Sequence, residues 1–268
     1  MSTIERKDKP RARGKFGNRE ISIAVRDAVL KAGSCKVADL ATELCVSEVS
    51  IRKSLDELER QGIVRRFHGE ARINSGDDIP FRMHVHYVEK QAIASRAATL
   101  VEPGDTILLE AGSAIAMFAE RIKDIRGLTV ITSNLFIARS FRGSKVRVIV
   151  LGGLYQEESE SLVGPAVCES IRSIGFSKSF IGVSGFTIAG GFMLNDIARA
   201  EVTRSILERG AECRAKAWIL TDSSKFGASH AALVCSDLSL VSGMVTDPDI
   251  PEDYRHYLET AGVEVLTY

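Results

Sequence analysis

The sequence lacks the long apolar runs and the grouped metal ligands that mark several large classes of protein. No apolar run in the 268 residues reaches the roughly 18 residues of a membrane span, and the first twenty residues lack the apolar stretch of a signal peptide. We therefore expect a cytoplasmic protein with no membrane partner. The five cysteines include no Cys-x-x-Cys pair, and the five histidines are equally scattered. This spacing argues against a metal site or a disulfide framework.

Common catalytic fingerprints are also missing. Neither a Gly-x-Gly-x-x-Gly run nor a Walker loop is present, so dinucleotide oxidoreduction and nucleotide hydrolysis lack their usual phosphate cradles, and we predict no cofactor. The segment Gly182-Val-Ser-Gly-Phe186 falls one glycine short of the nucleophile elbow of serine hydrolases. An isomerase acting on a sugar phosphate stays open, with Glu201 or Asp222 as the base and Lys225 holding the anion.

Charge is balanced over the whole chain but not along it. The first 75 residues hold sixteen Lys or Arg against eleven Asp or Glu, a net charge of +5, and the remainder carries −5 because the chain is neutral. This asymmetry favours nucleic acid as the partner of the first segment only. Residues 1–17 form a basic arm, interrupted by Pro10 and two glycines, that we expect to be disordered until it is bound. It either enters a minor groove or has no role.

Residues 37–61 have the pattern of two short amphipathic helices joined at Cys45–Val46, the outline of a helix-turn-helix. Ser47 can cap the second helix, and apolar residues recur from Ile51 at spacings of four and three, which indicates a core-facing side. The opposite side would meet base edges and phosphates near the helix N-terminus. Its predicted DNA-binding residues are Ser47, Glu48, Ser50, Arg52 and Lys53. Periodicity alone leaves an ordinary helical bundle open.

The segment after this helix predicts a wing. Basic residues alternate through residues 63–72, and Gly69 can turn the chain between two strands. We predict that the two strands lie along DNA phosphates. The predicted contacts are Arg65, Arg66 and His68.

A change in pattern separates this winged helix-turn-helix, residues 18–73, from a larger domain, residues 81–268, through a linker at 74–80. In the larger domain, strand-like runs alternate with helical periods, which indicates a parallel α/β sheet. The predicted strands are 105–110, 128–132, 146–151, 179–184, 216–221, 240–245 and 263–266. The predicted helices are 88–101, 113–124, 134–142, 162–173, 196–209 and 251–261.

Small polar residues follow five of the predicted strands. Open α/β sheets bind ligands beyond the carboxyl ends of their strands, so we expect these residues to line one crevice. Gly112-Ser113 opens a helix whose free amides suit a phosphate, and Lys225 can supply a positive charge. Purely steric reasons for glycine and serine at strand ends remain the alternative. The residues are Gly112, Ser113, Ser133, Asn134, Gly152, Gly153, Ser184, Asp222 and Lys225.

Several motifs in order along residues 20–247 resemble the DeoR family of bacterial transcriptional regulators. The DNA-binding half carries Val46–Leu55, Leu58-Glu59, Gly62 and Arg66-Phe-His-Gly69. The second half carries Ala111-Gly-Ser113, Leu151-Gly-Gly153, Ser161-Leu-Val-Gly164, Ala200-Glu-Val202 and Asp222-Ser-Ser-Lys-Phe-Gly227.

That resemblance implies an α/β protein with a small winged helix-turn-helix and a larger sensor domain related to ribose 5-phosphate isomerase. It implies a regulator rather than an enzyme, usually a repressor, here of a carbohydrate-metabolism operon. Its partners would be double-stranded operator DNA and a phosphorylated sugar or similar metabolite, and it would form a dimer or tetramer. Asn195 and Glu201 join the predicted effector-binding residues. A sensor that serves only for oligomerisation, with no ligand, stays open.

Some positions depart from the family pattern. The usual Arg-Arg-Asp of the second helix is Arg52-Lys53-Ser54, and a lysine cannot reproduce a bidentate arginine contact to guanine, so we expect a different operator sequence. In the sensor, the usual Asp-Ala-Gly-Thr-Thr is Glu110-Ala-Gly-Ser-Ala114, and Ala-Asp-Gly is Val183-Ser184-Gly185. Loss of the acidic residue at Ser184 argues against retained catalysis.

Overall fold

A computed structural model describes residues 18–32, 34–60, 63–67, 69–73, 79–230 and 232–268. The chain divides into two compact units, Met1–Ser75 and Gly76–Tyr268. The predicted basic arm, residues 1–17, lies outside the described residues, as does most of the predicted linker. The linker prediction extended to residue 80, but a helix already begins at Ile79.

The first unit combines three helices with a small antiparallel sheet. Its elements are α1 Asn18–Ala32, β1 Ser34–Lys36, α2 Val37–Glu43, α3 Glu48–Arg60, β2 Val64–Phe67 and β3 Glu70–Ile73. The strands pair in the order β1-β3-β2. Buried aliphatic side chains from all three helices form the core, as expected when apolar residues repeat along one helix face. They include Val25, Val29, Leu40, Ile51, Leu55 and Leu58.

Both local structures that the sequence predicts in this unit are present. The turn between α2 and α3 contains Cys45, whose φ of 52° is in the left-handed region that a sharp reversal requires. Gly69, with φ of 83°, lies between the paired strands β2 and β3. A residue with a side chain would be strained at this angle, so glycine permits the tight wing turn.

The second unit is an α/β domain. Its first elements are α4 Ile79–His84, α5 Tyr87–Ala98, β4 Thr106–Leu109, α6 Ser113–Arg121, β5 Thr129–Thr132, α7 Leu135–Ser140, β6 Arg147–Val150, β7 Leu154–Gln156 and β8 Ser161–Val163. They are followed by α8 Pro165–Arg172, β9 Lys178–Gly182, β10 Gly185–Thr187, β11 Gly191–Leu194, α9 Ile197–Cys213, β12 Lys216–Leu220, β13 Ala232–Cys235, β14 Gly243–Thr246, α10 Glu252–Thr260 and β15 Glu264–Thr267.

Seven parallel strands form the main sheet, in the order β15-β14-β12-β9-β4-β5-β6. From β4, the chain adds β5 and β6 on one side and then returns to add β9, β12, β14 and β15 on the other. The strand order therefore reverses between β4 and β9, where an open α/β sheet leaves a crevice beyond its carboxyl ends. Two apolar clusters, one including Phe186 and the other Phe118, form the core.

The structure differs from the sequence prediction in its small hairpins. β7 pairs with β8, and β10, β11 and β13 form a second small sheet. The predicted helix 162–173 begins only at Pro165, because Gly164 has φ of 93° and the residues before it belong to β8.

Within the described part of the chain, no helix is long and apolar enough to cross a membrane. The same residues contain no group of three or more His, Cys, Asp or Glu placed to hold a metal ion.

Candidate nucleic-acid interface and effector cleft

The N-terminal turn of α3 is organised by its own side chains. The amide of Ser50 donates to Ser47 Oγ at 3.1 Å, so Ser47 is the helix cap that the sequence predicts. The two serine hydroxyls also lie 2.9 Å apart in a hydrogen bond. Arg52 Nη2 donates to Glu48 Oε2 at 2.6 Å, one turn earlier. Four of the five predicted contact residues at this end of α3 therefore interact in two pairs, Ser47 with Ser50 and Glu48 with Arg52, while Lys53 is exposed.

The wing is tied to the other end of α3 through Arg66. The backbone amide and Nε of Arg66 donate to the Glu59 carboxylate at 3.0 and 2.8 Å, and its Nη1 lies 2.7 Å from Asp56 Oδ1. Burial raises the pKa of Glu59, but the hydrogen bonds from Arg66 outweigh it and the net pKa is lowered. The side chain of Arg65 and the whole of His68 lie outside the described residues. Arg66 therefore fixes the wing to α3, and two carboxylates already neutralise its charge, so its predicted phosphate contact stays a prediction.

A cleft opens at the reversal of strand order in the second unit. It is lined mainly by the ends of β4, β9 and β12 and the starts of α6 and α9. The β4 and β9 ends meet closely here: a Cβ atom on Gly182 would lie 2.9 Å from the carbonyl oxygen of Ala111. Gly112, with φ of 138°, precedes α6 and points that helix's N-terminus toward the cleft. Such an N-terminus favours an anion.

Positive charge exceeds negative charge in this cleft. Its lining includes four cationic side chains, Arg82, Lys90, Arg199 and Lys225. Two carboxylates, Asp222 in the lining and Glu110 beneath it, leave a formal excess of two positive charges. A phosphate monoester carries about −1.5 to −2 near neutral pH, so its charge complements this excess.

Lys90 is buried at this site, with 5% of its surface exposed. Its ammonium donates to the carbonyl oxygens of Arg82 and Val85, both at 2.7 Å. Burial lowers the pKa of Lys90 to about 8, although the charge of Asp222 opposes that shift. Lys90 is therefore still largely charged at neutral pH, and the two carbonyl contacts hold its ammonium in place at the cleft wall.

Polar groups of Thr221 and Asp222 follow directly after β12. Burial raises the pKa of Asp222, but hydrogen bonds from Ser224 and the charges of Lys225 and Lys90 lower it overall, so the carboxylate is ionised. Asp222 Oδ1 accepts hydrogen bonds from the amide and the hydroxyl of Ser224. Thr221 Oγ1 is buried and makes no hydrogen bond within the described residues. A buried hydroxyl without a partner costs free energy.

A buried ion pair forms the floor of the cleft. Arg199 Nη2 lies 3.1 Å from Glu110 Oε1, and both side chains are 4% exposed. The amide of Gly182 donates to Glu110 Oε2 at 3.2 Å. Burial raises the pKa of Glu110, against the lowering by Arg199 and by the amides of Gly182 and Ala111. The pair links β4 to α9 and so holds together two of the elements that form the cleft.

Four of the predicted effector residues meet at this cleft: Gly112, Ser113, Asp222 and Lys225. Ser133 and Asn134 do not reach it, because β5 lies on the other side of β4 from β9 and β12. Asn134 instead caps α7 by accepting the Ile137 amide at 2.9 Å, and its amide group donates to Ser159 and Ser161. The single crevice expected from five strand ends is therefore formed by three of them.

The remaining predicted effector residues lie outside the cleft lining. A Cβ atom on Gly153 would lie 2.4 Å from Val167 Cγ2, so packing requires glycine there, and Gly152 is exposed beside it. Ser184 Oγ donates to Asn195 Oδ1 at 3.3 Å, just past the lining residues Val183 and Leu194. Glu201 is exposed on α9. Their roles in binding stay predictions.

The sequence prediction omitted three of the cleft's cationic residues, Arg82, Lys90 and Arg199. A signal for two of them was present in the helical periodicity. Lys90 occupies the same face of α5 as buried Ile93, Ala94 and Ala97, and Arg199 lies among the buried residues of α9. A cation at a core position of an amphipathic helix is rare unless it has a partner or a ligand.

A helix-turn-helix with a wing, followed by an α/β domain with a cationic cleft, defines a DNA-binding regulator with a sensor domain. Family models agree: the model of the DeoR-like helix-turn-helix domain matches residues 24–76, and that of the DeoR C-terminal sensor domain matches residues 85–248. The chain belongs to the DeoR family of transcriptional regulators.

Two proteins of similar sequence carry the names of regulators. The lactose phosphotransferase system repressor of Staphylococcus epidermidis is 31% identical over 82% of this chain and 88% of its own. The L-fucose operon activator of Haemophilus influenzae is 29% identical over 85% of this chain and 91% of its own. The ribose 5-phosphate isomerase of Plasmodium falciparum has a TM-score of 0.37 and 14% identity over 51% of this chain and 52% of its own, which is too low to indicate activity.

Proposed function

We propose that this protein represses a carbohydrate-metabolism operon and that a phosphorylated sugar, or a closely related metabolite, releases it from its operator. As a regulator of an operon it would act in the cytoplasm. The names of the similar regulators support a carbohydrate operon, since they refer to lactose and L-fucose. The matches to a helix-turn-helix model in the first unit and to a sensor-domain model in the second support DNA recognition by the first and ligand recognition by the second.

The cleft is the observation that carries the effector proposal. It combines an excess of positive charge, the N-terminus of α6 and an unsatisfied Thr221 hydroxyl at the carboxyl ends of three parallel strands. A phosphate would occupy the end near Gly112 and Lys225, and sugar hydroxyls would bind Asp222 and Thr221. A sensor that serves only for oligomerisation would have no need to bury Lys90 and an unpartnered hydroxyl, because both cost stability.

Dimers or tetramers formed through the sensor domains would hold two DNA-binding units at the spacing of operator half-sites. The effector would act by preferring the arrangement that cannot bind DNA, and only by the difference in its affinity for the two arrangements. An exposed apolar patch on β7 supports self-association: Leu154 is 73% exposed and Tyr155 is 48% exposed. We expect Leu154→Glu to lower the mass of the particle in light scattering, and an unchanged mass would remove this patch from the interface.

The proposal is tested by binding the protein to labelled DNA from upstream of its own gene, at two salt concentrations. Specific binding should weaken at high salt, because lysine and arginine contacts to phosphate release counterions. A mixture of sugar phosphates should release the DNA, whereas the same sugars without phosphate should not. Failure of every sugar phosphate to release a specific complex would contradict the effector proposal.

The variant Lys225→Ala tests whether the cleft is the site at which the effector binds. The variant should bind the same DNA with unchanged affinity and lose release by sugar phosphate, because it removes a cation of the effector site. Lys145→Ala is the control, since Lys145 is exposed and does not line the cleft. Equal release of both variants would remove Lys225 from the effector site.

A further inference from the structure

In the first turn and a half of α3, some side chains make hydrogen bonds or ion pairs and others make neither. Ser47 and Ser50 bond to each other, and Glu48 pairs with Arg52. In the described residues, the side chains of Lys53 and Val49 make no hydrogen bond or ion pair, and both are exposed, Val49 to 60%. These two side chains are the ones that reach a ligand without first breaking a contact.

Val49 and Lys53 lie on the same face of α3. They are four residues apart, a spacing that places their Cβ atoms about 5–6 Å from each other on a helix. The opposite face is buried through Ile51, Leu55 and Leu58. The exposed face therefore carries an aliphatic side chain beside a cation, at the N-terminal end of the helix that a helix-turn-helix inserts into the major groove.

We propose that Val49 reads the 5-methyl group of a thymine in the operator half-site. In the major groove, this methyl is the apolar group by which thymine differs from the other bases. Lys53 next to it can donate hydrogen bonds to the acceptors of a guanine, so the pair suits a thymine that lies close to a guanine in the major groove. The inference rests on the proposed DNA-binding role of this unit. It adds an apolar base-reading residue to the polar and charged contact residues predicted from the sequence.

The spacing of the pair restricts where this thymine lies. Successive base pairs rise about 3.4 Å, so side chains about 5–6 Å apart contact positions within about two base pairs of each other. The thymine read by Val49 should therefore lie within two base pairs of the position at which Lys53→Ala changes the preferred sequence.

The test begins by selecting preferred duplexes from a random pool with the full-length protein. Each thymine of the selected half-site is then replaced by deoxyuridine, which removes only the methyl group. We expect one thymine near the Lys53 position at which uracil weakens binding about fourfold, the effect of one buried methyl-sized group. Val49→Ala shortens the aliphatic side chain and should reduce the difference in affinity between the thymine and uracil duplexes.

Ile23→Ala is the matched control, because Ile23 is also an exposed aliphatic residue of the first unit, 44% exposed on α1. It should keep the full uracil effect. The inference is overturned if no thymine near the Lys53 position responds to uracil, or if Val49→Ala keeps the wild-type response. Selection of no sequence at all would instead refute specific DNA binding itself, and the inference with it.

Discussion

Replacing Arg199 by methionine would leave the Glu110 carboxylate buried without the guanidinium that faces it at 3.1 Å. Both side chains are 4% exposed, so the carboxylate has little contact with solvent. Removing one partner of a buried ion pair costs about 3–5 kcal/mol, because a charge is left uncompensated in a medium of low polarity. The amide of Gly182 still bonds to Glu110, which argues for the lower part of that range.

The stability lost in Arg199→Met should depend on pH, because it depends on the ionisation of Glu110. Without Arg199, burial raises the pKa of Glu110 further above its ordinary value of 4.5. Below the unfolded pKa, Glu110 is protonated in both states and adds no penalty. As the pH rises above 4.5, the unfolded state releases its proton first and is favoured, so Arg199→Met should be less stable at pH 8 than at pH 5, relative to wild type.

Trp218 fluorescence offers a direct assay of this unit, since it is the only tryptophan in the chain and is buried in β12. A loss of about 3–5 kcal/mol corresponds to a fall in Tm of roughly 6–20 °C for a domain of this size. The double variant Glu110→Gln with Arg199→Met should recover most of the loss, because neither residue then carries a charge. A fall of less than 2 °C in the single variant, or no recovery in the double variant, would refute the reasoning.

Three further outcomes follow from single contacts. Ser47→Ala should destabilise the first unit by about 1 kcal/mol in urea denaturation followed by circular dichroism, because α3 loses its cap. Gly182→Ala should destabilise the second unit by about 1–3 kcal/mol and lower its Tm, because the added Cβ would lie 2.9 Å from the Ala111 carbonyl oxygen. Gly175→Ala is the control and should cause no comparable loss, because no atom lies within 4 Å of a Cβ at that position. Affinity for a sugar phosphate, measured by calorimetry, should fall as the pH rises from 7 to 9, because Lys90 loses its charge near its pKa of about 8, and Lys90→Met should abolish that dependence.

The DNA-binding unit was predictable because its signals are local. The cap at Ser47, the apolar period of α3 and the glycine of the wing each act within a few residues, and the structure contains all three. The pattern did not reveal β7, β10 or β11, which have three or four residues each. Such short strands show no clear alternation, and pairing with distant residues stabilises them.

The sequence predicted a cleft at the carboxyl ends of the strands, but it did not predict all of the residues that line it. Sequence locates strand ends, but which ends lie side by side depends on strand order, and β5 and β6 are on the far side of β4 from β9. Asn134 therefore caps a helix instead of lining the cleft. Lys90 and Arg199 lie on helices rather than at strand ends, so a search confined to strand ends could not include them.

The central claim is that operator DNA and a sugar phosphate bind the same protein and oppose each other. The most direct test measures the affinity for a releasing sugar phosphate with the free protein and with the protein saturated by operator DNA. Linkage requires that DNA weaken effector binding by the same factor by which the effector weakens DNA binding, and coupling of this kind is typically about 5–150-fold. Equal factors within that range would support the account. Identical effector affinity with and without DNA would contradict it.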